Sequence, residues 1–126
     1  MLHNQLNAYH RSQKLSMPPR EGEAMAFTKA ANLLSAVARE DVDPDAYRAA
    51  LIYNQKLWTL VQDAMFSESK RLPDDLKADL ISLSIYVDKQ TVAAMIRRDP
   101  ARATALSEID RRIASGLLAK PDALAA

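Results

Sequence analysis

The chain has 126 residues, with 17 Lys and Arg against 16 Asp and Glu, two glycines, six prolines and no cysteine. That length suits one domain with its own core, and the absence of thiols excludes disulfides and thiolate metal sites. A formal net charge of +1 with acids and bases interspersed argues against a nucleic-acid surface built on bulk positive charge, while scarce turn residues and few β-branched runs point to an all-α fold.

In chain order, residues 1–18 read as an N-terminal arm or short helix, with Leu2, Leu6, Tyr9 and Gln13 on one side. A stripe that narrow needs tertiary support to stay helical. Ser16-Met17-Pro18-Pro19 breaks it, because consecutive prolines remove donors and force extended backbone before them. A long helix is expected from Arg20 to Arg39, with Phe27, Ala30, Ala31, Leu34, Val37 and Ala38 inward and Arg20, Glu23 and Lys29 outward. Asp41-Val42-Asp43-Pro44 ends it, Asp43 serving as N-cap for the next helix and Pro44 as its first residue.

That second helix carries Tyr47, Leu51, Asn54, Trp58, Val61 and Met65 at three- and four-residue steps, with Asn54 the one polar member of the stripe. After an interruption over Ser67–Leu72, Pro73 opens a third helix, with Asp74 and Asp75 at the positive end of its dipole. Leu76, Leu80, Leu83 and Val87 form one face and Ile81, Ile85, Val92 and Met95 a neighbouring one, a breadth that needs covering from two sides. Asp99-Pro100 starts a closing helix with Leu106, Ile109, Ile113 and Leu117 inward, and Gly116 suits its C-terminal cap. Residues 119–126 read as a disordered tail. Four main helices with short connections form a small bundle over residues 19–118. No cofactor is needed to hold it together. No apolar run approaches the length needed to span a bilayer and no signal peptide is visible, so the expected location is the cytoplasm.

Catalysis finds little footing. His3 and His10 lie in the arm without a third ligand to complete a metal site, the serines have no histidine base placed near them, and two glycines make no phosphate cradle. Ser82 and Ser84 either admit close helix approach or bond back to the preceding turn. Asp63 is placed to pair with Lys70 or with a basic group on a partner. Arg97, Arg98, Arg102, Arg111 and Arg112 make a basic C-terminal third.

The ordered set Leu51, Asn54, Leu57-Trp58, Asp63, Leu72-Pro73, Leu76-Lys77-Ala78 and Leu80-Ile81-Ser82-Leu83 resembles the FlaF family, flagellar biosynthesis regulators of alphaproteobacteria. Pro19-Arg20-Glu21 with Glu23 and Phe27 resembles that family's N-terminal stretch, and Leu106, Glu108-Ile109-Asp110, Ile113 and Gly116-Leu117 its closing helix, so that the resemblance covers residues 9 to 118. Lys70 stands where the family often has asparagine and Lys77 where it often has arginine, which removes the bidentate guanidinium fork from that position.

The resemblance implies a factor acting on flagellin, supporting its synthesis, secretion and filament assembly as a chaperone-like partner, in concert with the companion regulator FlbT. The alternative it leaves open is control of flagellin mRNA translation, directly or through a partner protein; the charge and the scarcity of aromatics disfavour direct RNA contact. The expected mode is helix-in-groove recognition of an amphipathic terminal segment of flagellin. The expected groove runs between the second and third helices, with Asn54, Leu57, Trp58, Val61, Asp63, Lys77, Leu80 and Ser84 as partner contacts. Self-association through an exposed stripe is the remaining possibility, and the oligomeric state stays open.

Overall fold

A computed structural model describes residues 19–65 and 74–119, and among them finds four helices and no strand. They are α1 (Pro19–Ala36), α2 (Pro44–Met65), α3 (Asp74–Ile96) and α4 (Pro100–Ala119). The expected arm and break over residues 1–18, the Ser67–Leu72 interruption with Lys70, Pro73 as the first residue of the third helix, and the tail beyond Ala119 lie outside the described residues. So do the side chains of Arg20, Met65 and Leu76.

Where local chemistry marks a boundary, the helices obey it. Asp43 Oδ2 accepts the Ala46 N–H at 3.2 Å and Asp99 Oδ1 accepts that of Ala101 at 3.0 Å, so each aspartate satisfies a donor that the first turn leaves without an intrahelical partner. Pro44 and Pro100 follow as first helical residues, where a missing N–H costs nothing. α1 stops at Ala36, three residues short of the expected Arg39, and a tight turn through Val37 and Ala38 closes onto the Leu34 and Ser35 carbonyls. The turn is anchored from inside, since Val37 and Val42 are both buried.

The helices run up and down. Ser107 and Arg111 of α4 reach Ala31, Asn32 and Ser35 of α1, while Leu118 meets the groove beside Ala24 and Met25. Rising numbers on one helix therefore meet falling numbers on the other, so the pair is antiparallel. It is also the most extensive helix contact of the fold. Its buried positions are small, with Ala24, Ala30 and Ala31 on α1 and Ala103, Ser107 and Ala114 on α4, and small side chains allow the axes to approach closely enough for Ser107 Oγ to donate to the Ala31 carbonyl at 2.9 Å. Diagonally, α2 and α4 are parallel: Tyr47 Oη donates to the Asp99 carbonyl at 2.8 Å and Trp58 Nε1 to Asp110 Oδ1 at 2.9 Å, both across 52 residues of sequence. Burial pushes the Tyr47 phenol above its ordinary value of 10.0, which keeps that donor protonated.

α3 is held differently. It packs on α2 and, less extensively, on α4, through buried Ser84, Val87, Thr91 and Ala94. Gln62 Nε2 donates to Asp88 Oδ2 at 2.9 Å, and Arg102 Nη1 donates to Gln90 Oε1 at 2.7 Å. The core is completed by Phe27, Leu34, Leu51, Leu57, Trp58, Leu106 and Leu117. Full burial of a Leu or Phe side chain stabilises by roughly 1.5–3 kcal/mol.

Two sequence expectations need correcting here. Gly116 does not cap α4. The helix continues to Ala119 with no positive φ, because Leu117 is buried and holds the last turn down. The closing stripe is also rotated from its expected centre: Ala103, Leu106, Asp110, Ala114 and Leu117 are fully buried, while Ile109 and Ile113 are half-buried at its edge. A Cβ added at Gly116 would meet nothing within 4 Å. Gly116→Ala should therefore stabilise the fold by about 0.5–1 kcal/mol, through the lower entropy of the unfolded chain and better helix propensity. Urea unfolding measures this, and an equal or lower midpoint would contradict the helical placement.

Candidate functional site

Two regions stand out once the core is assembled: a polar cluster sealed inside the bundle, and apolar surface left on its outside.

The polar cluster centres on Asp110. Its position on the inward stripe of α4 carries the carboxylate to the middle of the bundle, where it is 0% exposed. Trp58, likewise 0% exposed, donates its indole N–H to Oδ1 from α2, and Phe27 of α1 meets the indole edge-on, with ring centroids 5.6 Å apart and planes at 78°. Asn54, one turn before Trp58, fits in one orientation, with its amide nitrogen toward the carboxylate, 2.5 Å from Oδ2 and 3.3 Å from Oδ1. A single carboxylate thus ties α4 to two successive turns of α2, and the ring it holds packs on α1. Among the described residues no cation forms an ion pair with it.

Burial without a counter-charge pushes the Asp110 carboxyl from 3.8 up to about 7, although the Trp58 N–H favours the ionised form. The Asn54 amide donor favours ionisation further. A carboxyl raised in this way binds more protons in the folded than in the unfolded chain between pH 4 and 7, so stability falls as pH rises through that window. A tenfold change in proton affinity corresponds to about 1.4 kcal/mol.

The expected partner contacts divide into two groups. Asn54, Leu57 and Trp58 on α2 and Ser84 on α3 are buried and belong to the interior rather than to a groove wall, because each lies on the face that its helix turns toward the core. Ser84 bonds back to the Ile81 carbonyl at 2.8 Å. Val61, Lys77 and Leu80 are half-buried and Asp63 is exposed. These four are not brought to one point: the Gln62–Asp88 bond sets the antiparallel register of α2 and α3, which places Leu80 eight residues beyond that bond and not opposite Val61. The basic residues also separate. Arg102 and Arg111 make intramolecular bonds, while Arg97, Arg98 and Arg112 are exposed.

Two features escaped the sequence reading. One is Asp110 as a core residue; its spacing from Leu106 and Ala114 was the available signal, obscured by its charged neighbours Glu108, Arg111 and Arg112. The other is which face of α3 the bundle leaves open. Ile85, Val92 and Ile96 are 49%, 53% and 82% exposed, and with half-buried Ile81 they fall within an arc of about 60° at 100° per residue, directly opposite Val87 and Ala94. Of the neighbouring face expected of this helix, Met95 packs against the core, while Ile85 and Val92 face solvent and Ile81 is half-buried.

The cluster leads to a solution test. Thermal midpoints of the wild type should fall between pH 5 and pH 8, and Asp110→Asn, which keeps an acceptor for the indole and removes the ionisation, should show a flatter profile and a higher midpoint at pH 8. Parallel profiles for the two proteins would contradict the assigned environment. Asp110→Ala should cost about 2–4 kcal/mol, by leaving the Trp58 and Asn54 donors buried and unpaired.

Among the described residues no helix is long and apolar enough to cross a membrane, and no group of three His, Asp or Glu side chains is arranged to hold a metal ion. Comparison with curated proteins and with solved structures gives no match. The family described as flagellar protein FlaF matches residues 5–117, a span that takes in all of α1, α2 and α3 and nearly all of α4, together with Trp58, Asn54 and Asp110. The chain belongs to the FlaF family of flagellar proteins.

Proposed function

We infer that this protein is a cytoplasmic binding partner of flagellin, which sequesters an amphipathic helical segment of the unassembled subunit and so supports its synthesis, secretion and assembly, in concert with the companion regulator FlbT. It acts by binding and not by catalysis. The observation that carries this reading is the outer stripe of α3. Ile81, Ile85, Val92 and Ile96 repeat at helical spacing on a face that the bundle leaves uncovered, and contiguous exposed apolar surface of this kind marks an interaction site. An incoming amphipathic helix packs its own apolar stripe along this one, each isoleucine contributing roughly 1.5–3 kcal/mol if fully buried.

Tyr86, 46% exposed, lies on one flank of the stripe, adding an aromatic edge suited to an interface anchor. Lys89 and Asp88 flank the stripe midway and give an amphipathic partner groups of both signs to meet. Charged residues on a rim set register more than affinity. Of the contacts expected from sequence, Lys77 and Leu80 lie on the same helix, toward its start, and Val61 and Asp63 lie on α2 near the same end.

The test is titration calorimetry of purified monomeric flagellin into the wild type and into Ile85→Asp and Val92→Asp, with helical circular dichroism to verify folding. Because both positions face solvent, the spectra should stay native while affinity falls at least tenfold in each variant. Native affinity in both would overturn the assignment of this face. For the messenger-RNA alternative, a gel shift titrated with salt would report phosphate contacts through a steep loss of affinity, which apolar helix burial does not produce.

A further inference from the structure

The outer stripe of α3 has a symmetry of its own. Ile81 and Ile96 stand equally far along the helix from the midpoint between Asp88 and Lys89, and so do Ile85 and Val92. The charges reverse about the same midpoint: exposed Asp74, Asp75 and Asp79 lie before it, and exposed Arg97 and Arg98 lie after it. We propose that this face, when no partner holds it, is covered by the same face of a second copy, the two α3 helices running antiparallel about a two-fold axis at that midpoint.

Three observations select a second copy as the occupant. Self-complementarity is the first. A two-fold interface sets residue i on j and j on i, and about this centre Ile81 comes level with Ile96 of the second copy, and Ile85 with its Val92. Charge is the second. Asp79 and Arg97 are about five whole helical turns apart, so they lie on one flank of the stripe. An antiparallel two-fold keeps like flanks together, so Asp79 of each copy comes level, to within one residue, with Arg97 of the other. Among the described residues neither has an ion-pair partner in its own chain. At the centre, Asp88 and Lys89 of the two copies form a group of four with no net charge. A parallel pairing would instead set Asp79 on Asp79 and Arg97 on Arg97. Area is the third. From Asp79 to Arg97 the shared strip is about 27 Å long and about one helix, or 10 Å, wide, well under the roughly 1,200 Å² of total surface that stable interfaces bury. The dimer is therefore weak and gives way to a tighter-binding partner.

Self-pairing stands on the face itself, while its role rests on the function proposed above. The flagellin segment and the second copy compete for Ile85 and Val92, so flagellin draws monomers out of the dimer, and its apparent affinity scales with the fraction of faces left open. Between encounters the stripe stays covered, which withholds it from indiscriminate apolar contacts.

Sedimentation velocity of the full chain, from micromolar to near-millimolar concentration, reads the dimer directly. The wild type should pass from one copy to two as concentration rises, and Ile85→Asp should raise the dissociation constant about tenfold or more. At low salt, Asp79→Arg and Arg97→Asp should each weaken the dimer about fivefold. The chain carrying both substitutions should recover wild-type affinity, because the antiparallel register exchanges the two charges; circular dichroism verifies that each variant is folded. Adding purified monomeric flagellin should replace the dimer with a complex of one copy of each protein. Four results would overturn the proposal: a wild type that is monomeric throughout, a dimer that Ile85→Asp leaves intact, a double variant no better than the single ones, or a flagellin complex that retains two copies of this chain. The two readings fail separately. A chain that never dimerises but binds flagellin through Ile85 and Val92 removes the self-pairing alone, whereas a dimer broken by Ile85→Asp, with native flagellin affinity in that variant, upholds the self-pairing and removes the flagellin contact.

Discussion

One bond fixes the arrangement of this molecule: the indole N–H of Trp58 donated to the buried carboxylate of Asp110. A carboxyl taken out of water is costly unless its oxygens are satisfied, and the geometry that satisfies it here permits little else. The Trp58 ring must lie at the level of Asp110, Asn54 must stand one turn away on the same face, and Phe27 must close the ring's edge. A core made only of Leu and Ala would tolerate sliding of one helix against another. A directional donor–acceptor pair sets the register of α2 against α4, and the Tyr47 bond to the Asp99 carbonyl repeats that register eleven residues earlier.

From that constraint the rest of the bundle follows in order of tightness. The α1–α4 pair is zipped by alanines and by Ser107, whose hydroxyl bonds the Ala31 carbonyl. Small side chains provide close approach and little volume, so the bulk of the core comes from α2, with Leu51, Leu57 and Trp58. α3 arrives last. Its buried positions include Ser84 and Thr91, whose hydroxyls bond back to their own helix at Ile81 and Val87, and these offer neighbours less apolar area than the leucines of the other helices. A helix bound on one face, with isoleucines on the other, is the natural place for a protein to meet a partner.

Local chemistry was legible in the sequence. Asp43 and Asp99 cap the helices they precede, and Pro44 and Pro100 begin them, because those effects act within four residues. The inward face of α1 was legible too, since Phe27, Ala30, Ala31, Leu34 and Val37 form an uninterrupted pattern. What could not be read was pairing at a distance. Asn54 could be read either as a core hydrogen-bonding group or as a contact for a ligand because its partner lies 56 residues away, and Asp110 looked like part of a solvated run because Glu108, Arg111 and Arg112 surround it. The same limit applies to the groove expected between α2 and α3. Periodicity says that α3 has two apolar faces, but which one the bundle covers depends on the rotation of the helix, fixed by contacts such as Gln62–Asp88. Family membership was readable from the order of motifs, and the structure gives three of those motif residues, Asn54, Trp58 and Asp110, a common structural reason.

The residues that build the protein are distinct from those we propose meet a partner. Trp58, its most conspicuous side chain, is sealed in the core, while Ile85, Val92 and Ile96 face solvent on α3. The most direct test of the central bond is hydrogen exchange of the Trp58 indole N–H, followed by nuclear magnetic resonance at neutral pH. If the indole is locked onto Asp110 inside the bundle, its proton should exchange only through global unfolding, at a protection matching that of the slowest core amides. Exchange at the rate of a solvent-exposed indole would show that the bond does not hold the helices in register, and the account would be wrong at its centre.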